Sequence, residues 1–130
     1  MKKAILLFAF AFSFSALSYA QTNVTFNIDM KYALQNGLFN EFTNNIYIKG
    51  NISPLSESSA GYIEMTDTAP VDSIYSVVVE FPAIYDGELL EYNFVIKRLL
   101  STEHEERKRE ITLSGEVEDL PDIKFNSFDW

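Results

Sequence analysis

The chain has no cysteine, one tryptophan and one histidine among its 130 residues. Without cysteine it can form neither disulfides nor thiolate sites, so the packing of apolar side chains must stabilise the fold. Because His104 is the single histidine, a nucleophile with a histidine base would have to be built around it. The sequence also lacks a Gly-x-Ser-x-Gly motif. We therefore expect a protein that is not an enzyme and that holds no metal and no cofactor.

The N-terminal region is organised like a secretory leader. Lys2 and Lys3 precede an uncharged apolar run of 13 residues, 4–16, and Ala20 has a small residue two positions before it, as signal peptidase requires. A membrane span needs about 20 apolar residues, so the run is too short for an anchor. A bacterial lipid anchor would need a cysteine at the cleavage site. We expect cleavage after Ala20 and a periplasmic or extracellular domain of residues 21–130.

Basic residues are scarce in the predicted mature chain. Loss of the leader would remove two lysines and leave eight basic against nineteen acidic side chains, a net charge of −11. Such a domain repels nucleic acid phosphates and anionic lipid headgroups. We expect neutral ligands or protein partners, no nucleic acid, and no membrane insertion once the leader is removed. Its 110 residues suffice for one domain with one hydrophobic core.

Alternation of apolar and polar residues predicts several short strands. In the clearest example, Tyr75, Val77, Val79 and Phe81 share one face of a strand. The predicted strands cover residues 24–30, 45–51, 62–65, 74–81, 90–96, 109–113 and 121–125. Residues 31–36 have helical spacing and precede a glycine that can end a helix of one or two turns. About seven strands separated by turn signals predict an all-β, immunoglobulin-like antiparallel sandwich.

Four of these strands carry a family resemblance. They are the segment ending in Gly-Asn at 45–51, Tyr-x-Val-x-Val at 75–79, Glu-Tyr-x-Phe-Val at 91–95 and Arg-x-Ile-Thr-Leu at 109–113. In this order and approximate spacing they resemble the starch-binding modules, the family 20 type of carbohydrate-binding module. The resemblance covers nearly all of the predicted mature chain. It implies a β-sandwich that binds α-glucan chains, with two tryptophans stacked on glucose rings and with a lysine, an asparagine and a glutamate bonded to the hydroxyl groups.

The sugar-binding residues of that family are replaced in this chain. Ser58 stands near the position of the first tryptophan, and Asn93 stands where the family carries its lysine. Glu103 and His104 lie near the positions of the second tryptophan and its neighbouring glutamate, and Lys108 replaces the asparagine. Binding therefore requires substitute residues if the activity is kept.

Three tyrosines are the candidates for substitute sugar platforms, because their neighbours indicate solvent-facing or loop positions. They are Tyr47, Tyr62 and Tyr85, to which Glu103 and His104 add polar groups. The expected function is that of a non-catalytic, secreted carbohydrate-binding module whose ligand is an oligosaccharide or polysaccharide. The alternative is a secreted protein interaction or accessory domain that has lost sugar binding. A third interpretation is that the chain is a remnant of a longer hydrolase.

Charged segments near the C-terminus carry two alternative interpretations. Residues 101–110 contain no apolar residue and read as an exposed hairpin loop or, alternatively, as a charged docking patch. The His-Glu pair at 104–105 begins a zinc motif whose second histidine is absent. The acids Glu116, Glu118, Asp119 and Asp122 lack the spacing of a calcium loop and are expected to be ordinary surface residues.

Overall fold

The structure is a computed structural model, and the residues that it describes are 21–56, 63–68 and 71–128. The predictions for residues 1–20, Ser58 and Tyr62 lie outside these ranges. The elements are β1 (Thr22–Asp29), α1 (Lys31–Gln35), β2 (Asn45–Gly50), β3 (Ile63–Glu64), β4 (Ile74–Phe81), a 3-10 helix (Ala83–Tyr85), β5 (Leu89–Lys97), β6 (Thr102–His104), β7 (Arg109–Thr112), β8 (Val117–Asp119) and β9 (Ile123–Lys124).

The strands form where alternate side chains can be buried on one face. In β1 the side chains of Val24, Phe26 and Ile28 are fully buried, whereas those between them are partly exposed. In β4 Phe81 is buried and Val78 is 62% exposed. Both strands confirm the prediction made from a period of two, because successive strand residues point to opposite sides of a sheet.

The central strand β5 is buried on more than one side. Leu90, Phe94 and Ile96 face the interior, and each is at most 1% exposed. Val95 faces the opposite side and is nevertheless fully buried. It lies between Tyr47 of β2 and His104 of β6 in the strand register, and these larger neighbours cover it.

The predicted short helix is present as α1. Its residue Ala33 is buried, the helix ends at Gln35, and Gly37 two residues later has a φ of +71°. The next backbone N–H, that of Leu38, bonds back to the carbonyl of Ala33 at 2.9 Å. Glycine suits this left-handed conformation because it has no Cβ to clash with the backbone.

Two sheets form the sandwich. In the first sheet β4, β1 and the pair β8 and β9 lie in that order, with β8 and β9 parallel to β1. In the second sheet β3, β2 and β5 lie in order, and both β6 and β7 pair with β5. The chain passes between the sheets after β3, where Thr66 and Ser76 exchange backbone hydrogen bonds of 3.1 and 2.9 Å.

The inner faces of the two sheets meet in one hydrophobic core. Phe26 of the first sheet contacts Tyr92 of the second edge to face, with ring centroids 5.0 Å apart. Phe26 also lies edge on to Phe81, and Tyr92 to Phe94. Ile46 and Ile48 of β2 complete the second layer and are fully buried. The all-β sandwich predicted from the alternation of apolar residues is confirmed.

Two strands were not predicted from the sequence. β6 lies within the charged stretch 101–110, and its residues Thr102 and His104 point outward. In β8 the side chain of Val117 is 79% exposed. Neither strand has an apolar face from which the sequence could predict it. Both are edge strands, and backbone hydrogen bonds join them to their neighbours.

A buried ion pair lies where β6 passes into β7. The side chains of Glu105 and Arg109 are 0% and 2% exposed. The sequence placed both in a charged hairpin loop exposed to solvent, and that expectation is wrong for these two residues. Residues 106–108 bulge out opposite Asn93, because Glu105 N–H bonds to the carbonyl of Phe94 while Arg109 pairs with Tyr92.

The carboxylate of Glu105 accepts four hydrogen bonds. Arg109 donates from Nε at 2.9 Å and from Nη2 at 2.6 Å. The backbone N–H groups of Phe94 and Asn126 donate at 3.1 and 2.9 Å. Arg109 Nη2 also bonds to the carbonyls of Lys124 and Ser127, so the pair fastens the C-terminal segment to the second sheet.

We expect Glu105→Ala to destabilise the protein by about 3–5 kcal/mol, because it leaves a buried guanidinium without its counter-charge. The matched control is Glu103→Ala, two residues away. It removes the partly exposed pair with Arg98, which should be worth about 0–1 kcal/mol. The free energy of unfolding in urea, followed by far-UV circular dichroism, measures both. Equal effects of the two substitutions would contradict the structural role of Glu105.

Candidate functional site

The outward side of the second sheet carries a row of polar and aromatic side chains. Ile46 and Ile48 point inward, so the residues between and beside them point out. We call this surface the outer face, and it consists of Asn45, Tyr47, Lys49, Glu64, Asn93, Val95, Lys97, Thr102 and His104.

The central row of the outer face crosses four strands. Glu64, Tyr47, Val95 and His104 lie opposite one another in register. Neighbouring strands are about 4.8 Å apart, so the Cα atoms of Tyr47 and His104 are separated by about 10 Å. Tyr47 is half-buried and His104 is exposed, whereas Val95 between them is fully buried.

Polar groups surround the ring of Tyr47. The ammonium of Lys97 lies 4.9 Å from the ring centroid, and Asn45 Nδ2 donates to the tyrosine hydroxyl at 3.2 Å. In the next row Lys49 lies opposite Asn93. The outer face therefore presents one aromatic ring among amide and ammonium groups.

Lys49 acts on His104 electrostatically. Partial burial lowers the pKa of His104 below its usual value of 6.5, and the nearby positive charge of Lys49 lowers it further. Both effects disfavour the imidazolium form. At neutral pH the imidazole is therefore uncharged, with one nitrogen that donates and one that accepts a hydrogen bond.

The outer face differs in charge from the outward side of the first sheet. Near Tyr47 it carries Lys49 and Lys97 against one carboxylate, Glu64. The outward residues of the first sheet include the acids Asp29, Glu80 and Asp119, with Lys124 as a base. Glu91 and Glu110 also point outward from this sheet beyond Asn93, so the excess of positive charge is confined to the surroundings of Tyr47.

The structure brings together two of the five predicted site residues, Tyr47 and His104. Tyr85 is half-buried in the 3-10 helix and packs against the core beside the first residues of β5. Val95, the neighbour of Tyr47, lies six residues along β5 from Leu89, a separation of about 20 Å. Tyr85 is thus outside the central row. Tyr62 lies outside the described residues.

Glu103 points to the opposite side from His104. It is paired with Ile96 in register, and its carboxylate accepts a bond of 2.8 Å from Arg98 Nη2. It lines a cavity of 260 Å³ at one end of the sandwich together with Ala33 and Phe125. Adjacent residues of one strand cannot serve one face, so Glu103 and His104 do not form a common site.

Sequence reasoning missed Lys49 and Lys97. Both lie an even number of residues from outward-facing strand positions, Tyr47 and Asn93. The period of two would have identified them once the inward set of Ile46 and Ile48 was assigned. Lys97 was harder to find, because its place over the Tyr47 ring depends on the pairing of β2 with β5.

Metal ligands are not grouped in the part of the chain that the structure describes. No three histidine, aspartate or glutamate side chains there lie close enough to hold an ion. This also holds for the four acidic residues near the C-terminus, Glu116, Glu118, Asp119 and Asp122. The described helical segments also include none with the length and apolar character needed to cross a membrane.

We expect Lys49→Gln to raise the pKa of His104 toward 6.5, because it removes the neighbouring positive charge. The shift of the imidazole Cε1 proton in NMR spectra between pH 4 and 8 gives this pKa directly, since the chain has one histidine. Because the folded pKa is depressed, His104 should reduce stability progressively as the pH falls through 6.5. Lys124→Gln on the other sheet is the control and should leave the pKa unchanged. An unchanged pKa of His104 in Lys49→Gln would show that the side chains of Lys49 and His104 do not lie close together.

No protein-family model matches this chain, and no curated protein matches it in sequence. The resemblance to starch-binding modules stays a prediction from strand order. The outer face is the surface that carries Tyr47 and His104, two of the candidate residues that this prediction named.

Proposed function

We propose that the protein is a secreted, non-catalytic β-sandwich domain that binds a glycan on the outer face. The observation that carries the proposal is the central row, in which the Tyr47 ring and the imidazole of His104 flank the buried Val95. The ligand is an oligosaccharide or polysaccharide, with α-glucans first to be tested because of the strand order.

The chemistry of the outer face suits a neutral sugar. A sugar ring presents apolar C–H groups on its faces and hydroxyl groups around its edge. The Tyr47 ring supports the apolar face, in the manner of other aromatic contacts. The Asn93 amide both donates and accepts hydrogen bonds, Lys49 donates, and neutral His104 does one of each. Such a mixture of one apolar support and several polar groups fixes the orientation of a ligand.

The affinity should be low. Lys97 lies over the Tyr47 ring, and a cation in an exposed site of this kind contributes about 0.5–1 kcal/mol. A sugar that stacks on the ring must displace the lysine side chain and lose that contribution. With one aromatic support in place of two, we expect dissociation constants near 1 mM, which correspond to about −4 kcal/mol.

Catalysis is no part of the proposal. The outer face is one side of a sheet that is open to solvent, and bond cleavage is helped by a site that excludes water. Glycosidases also place two carboxylates on either side of the scissile bond. In the central row the carboxylate is that of Glu64, at one end.

Isothermal titration with maltoheptaose, β-cyclodextrin and a panel of other soluble neutral glycans tests the proposal. We expect at least one ligand to bind, and Tyr47→Ala to weaken it about tenfold, since a loss of 1.4 kcal/mol is a factor of ten. Tyr85→Ala is the matched control and should bind as the native protein does. Melting temperatures separate a loss of binding from a loss of folding. The proposal fails if no glycan releases heat, or if both variants bind equally.

A specific observation supports the alternative of a protein partner. Leu99 and Leu100, in the turn between β5 and β6, are 86% and 95% exposed. Phe42, in the segment before β2, is 89% exposed. Arg98 Nη2 donates to the carbonyl of Leu38 at 2.7 Å and holds the two segments at the same end of the sandwich. Grouped exposed apolar side chains are characteristic of protein interaction sites.

For this alternative we expect the double substitution Leu99→Ser with Leu100→Ser to abolish recovery of a partner from the native periplasm or culture medium. Val117→Ser is the control, because Val117 is an apolar residue that is 79% exposed on the other sheet. Affinity capture with quantitative mass spectrometry compares the three proteins. Recovery of the same partners by all three would exclude this end of the sandwich as the interface.

A further inference from the structure

An open groove lies at the corner where the outer face meets one end of the sandwich. Its lining residues come from the segment before β2, from β3 and from the chain that follows β3 as far as the start of β4. They include Glu41, Phe42, Glu64, Asp67, Val71 and Tyr75. We call this space the corner groove, and its volume is 320 Å³.

Apolar side chains are exposed to solvent at the corner groove. Phe42 and Val71 are 89% and 75% exposed. Tyr75 is half-buried, and Phe39 holds its ring by an edge-to-face contact with centroids 5.5 Å apart. Exposed apolar side chains grouped beside a groove are characteristic of docking surfaces.

The charged side chains that line the corner groove are acidic. Among the described residues Glu41, Glu64 and Asp67 line it, and no lysine, arginine or histidine does. The carboxylate of Asp67 is held in place, because the backbone N–H groups of Asp72 and Ser73 donate to it at 3.3 and 2.8 Å.

Two of these carboxylates act on the same point of the groove. Burial raises the pKa of Tyr75, and the negative charges of Asp67 and Glu41 raise it further. Glu41 and Asp67 lie on different segments of the chain, so the fold brings their charges together. The hydroxyl of Tyr75 stays protonated in a region of negative potential.

We propose that the corner groove docks a segment of a partner protein in which a basic side chain stands next to an apolar one. The ammonium or guanidinium group lies near Glu41 and Asp67 and over the Tyr75 ring, because cations are attracted both to carboxylates and to the faces of aromatic rings. The apolar neighbour packs on Phe42 and Val71. This surface is separate from the central row, and the proposal does not rest on glycan binding.

Charge complementarity selects this occupant over others. A second copy of the chain carries the same net charge of −9 and would bring further acids against Glu41 and Asp67. Nucleic acids and anionic membranes are repelled for the same reason. A metal ion does not fit, because no three carboxylates of the described residues lie close enough to hold one.

The volume of the corner groove suits two side chains. A dry cavity of about 150 Å³ holds benzene. The 320 Å³ of the corner groove is roughly twice that volume, so one basic and one apolar side chain can be accommodated together. Phe42 also belongs to the exposed group with Leu99 and Leu100, over which a longer partner segment can continue.

Three capped peptides that differ in charge test the proposal. They are Ac-Gly-Arg-Leu-Arg-Leu-Gly-NH2 and the same peptide with glutamine or with glutamate in place of both arginines. In NMR titrations at low salt, the arginine peptide should shift the backbone signals of Phe42, Asp67 and Val71. We expect it to bind about tenfold more tightly than the glutamine peptide, as two exposed ion pairs allow, and more tightly still than the glutamate peptide.

Two results of these titrations would contradict the proposal. Equal affinity for the arginine and glutamine peptides would overturn the role of the carboxylates. An arginine peptide that leaves the signals of Phe42, Asp67 and Val71 unshifted at millimolar concentration would overturn the proposal as a whole.

Matched variants locate the site. Glu41→Lys should abolish binding of the arginine peptide, whereas Glu116→Lys makes the same change in net charge at an exposed position beside the start of β1 and should preserve it. Phe42→Ser should weaken binding, whereas Ile84→Ser, at a side chain that is 83% exposed, should not. Melting temperatures establish that the variants are folded. Equal effects within either pair would place the peptide elsewhere.

Two further measurements separate this surface from the other possible interactions. Tyr47→Ala removes the proposed support for a glycan and should bind the arginine peptide as the native protein does, so each proposal can fail without the other. Sedimentation velocity measures self-association. A dimer of the native protein that is lost in Phe42→Ser would assign the corner groove to a second copy and overturn the proposal.

Discussion

The carboxylate of Glu105 joins three parts of the chain that are distant in sequence. It bonds to β5 through the N–H of Phe94, to β7 through Arg109, and to the C-terminal segment through the N–H of Asn126. The bulge that accommodates it shifts the register of β7 on β5 by two residues relative to β6. A shift of two preserves which side chains face the interior, whereas a shift of one would exchange them. The ion pair thus allows β6 to complete the outer face while β7 keeps Arg109 and Ile111 on the inward side of the sheet.

Strand β5 serves the outer face and the core through its alternation. Asn93 and Val95 lie on the outer side, and Tyr92 and Phe94 face the core. The chemistry of the two sides differs, because the outer side meets solvent with amide and ammonium groups and the other side is packed with aromatic rings.

The sequence predicts those parts of the molecule whose burial repeats with a regular period. Apolar and polar residues alternate in β1, β4 and β5, and the structure confirms that these segments are strands. Glu105 and Arg109 could not be placed in this way, because burying a charge depends on a partner and on backbone groups supplied by the fold. The same limit applies to the site. Tyr47 and His104 were named as candidates, but their adjacency follows from the pairing of β2 and β6 with β5.

The parallel pairing in the first sheet has a consequence for the order in which the molecule is assembled. Asn23 of β1 lies opposite Val117 of β8, 94 positions later in the chain. One edge of β1 therefore has no neighbour until almost the whole polypeptide has emerged from the ribosome. Pairings between such distant segments form slowly, because a long loop must close first. If the protein is exported as we propose, this delay keeps the polypeptide incomplete as a sandwich while it is threaded through a membrane.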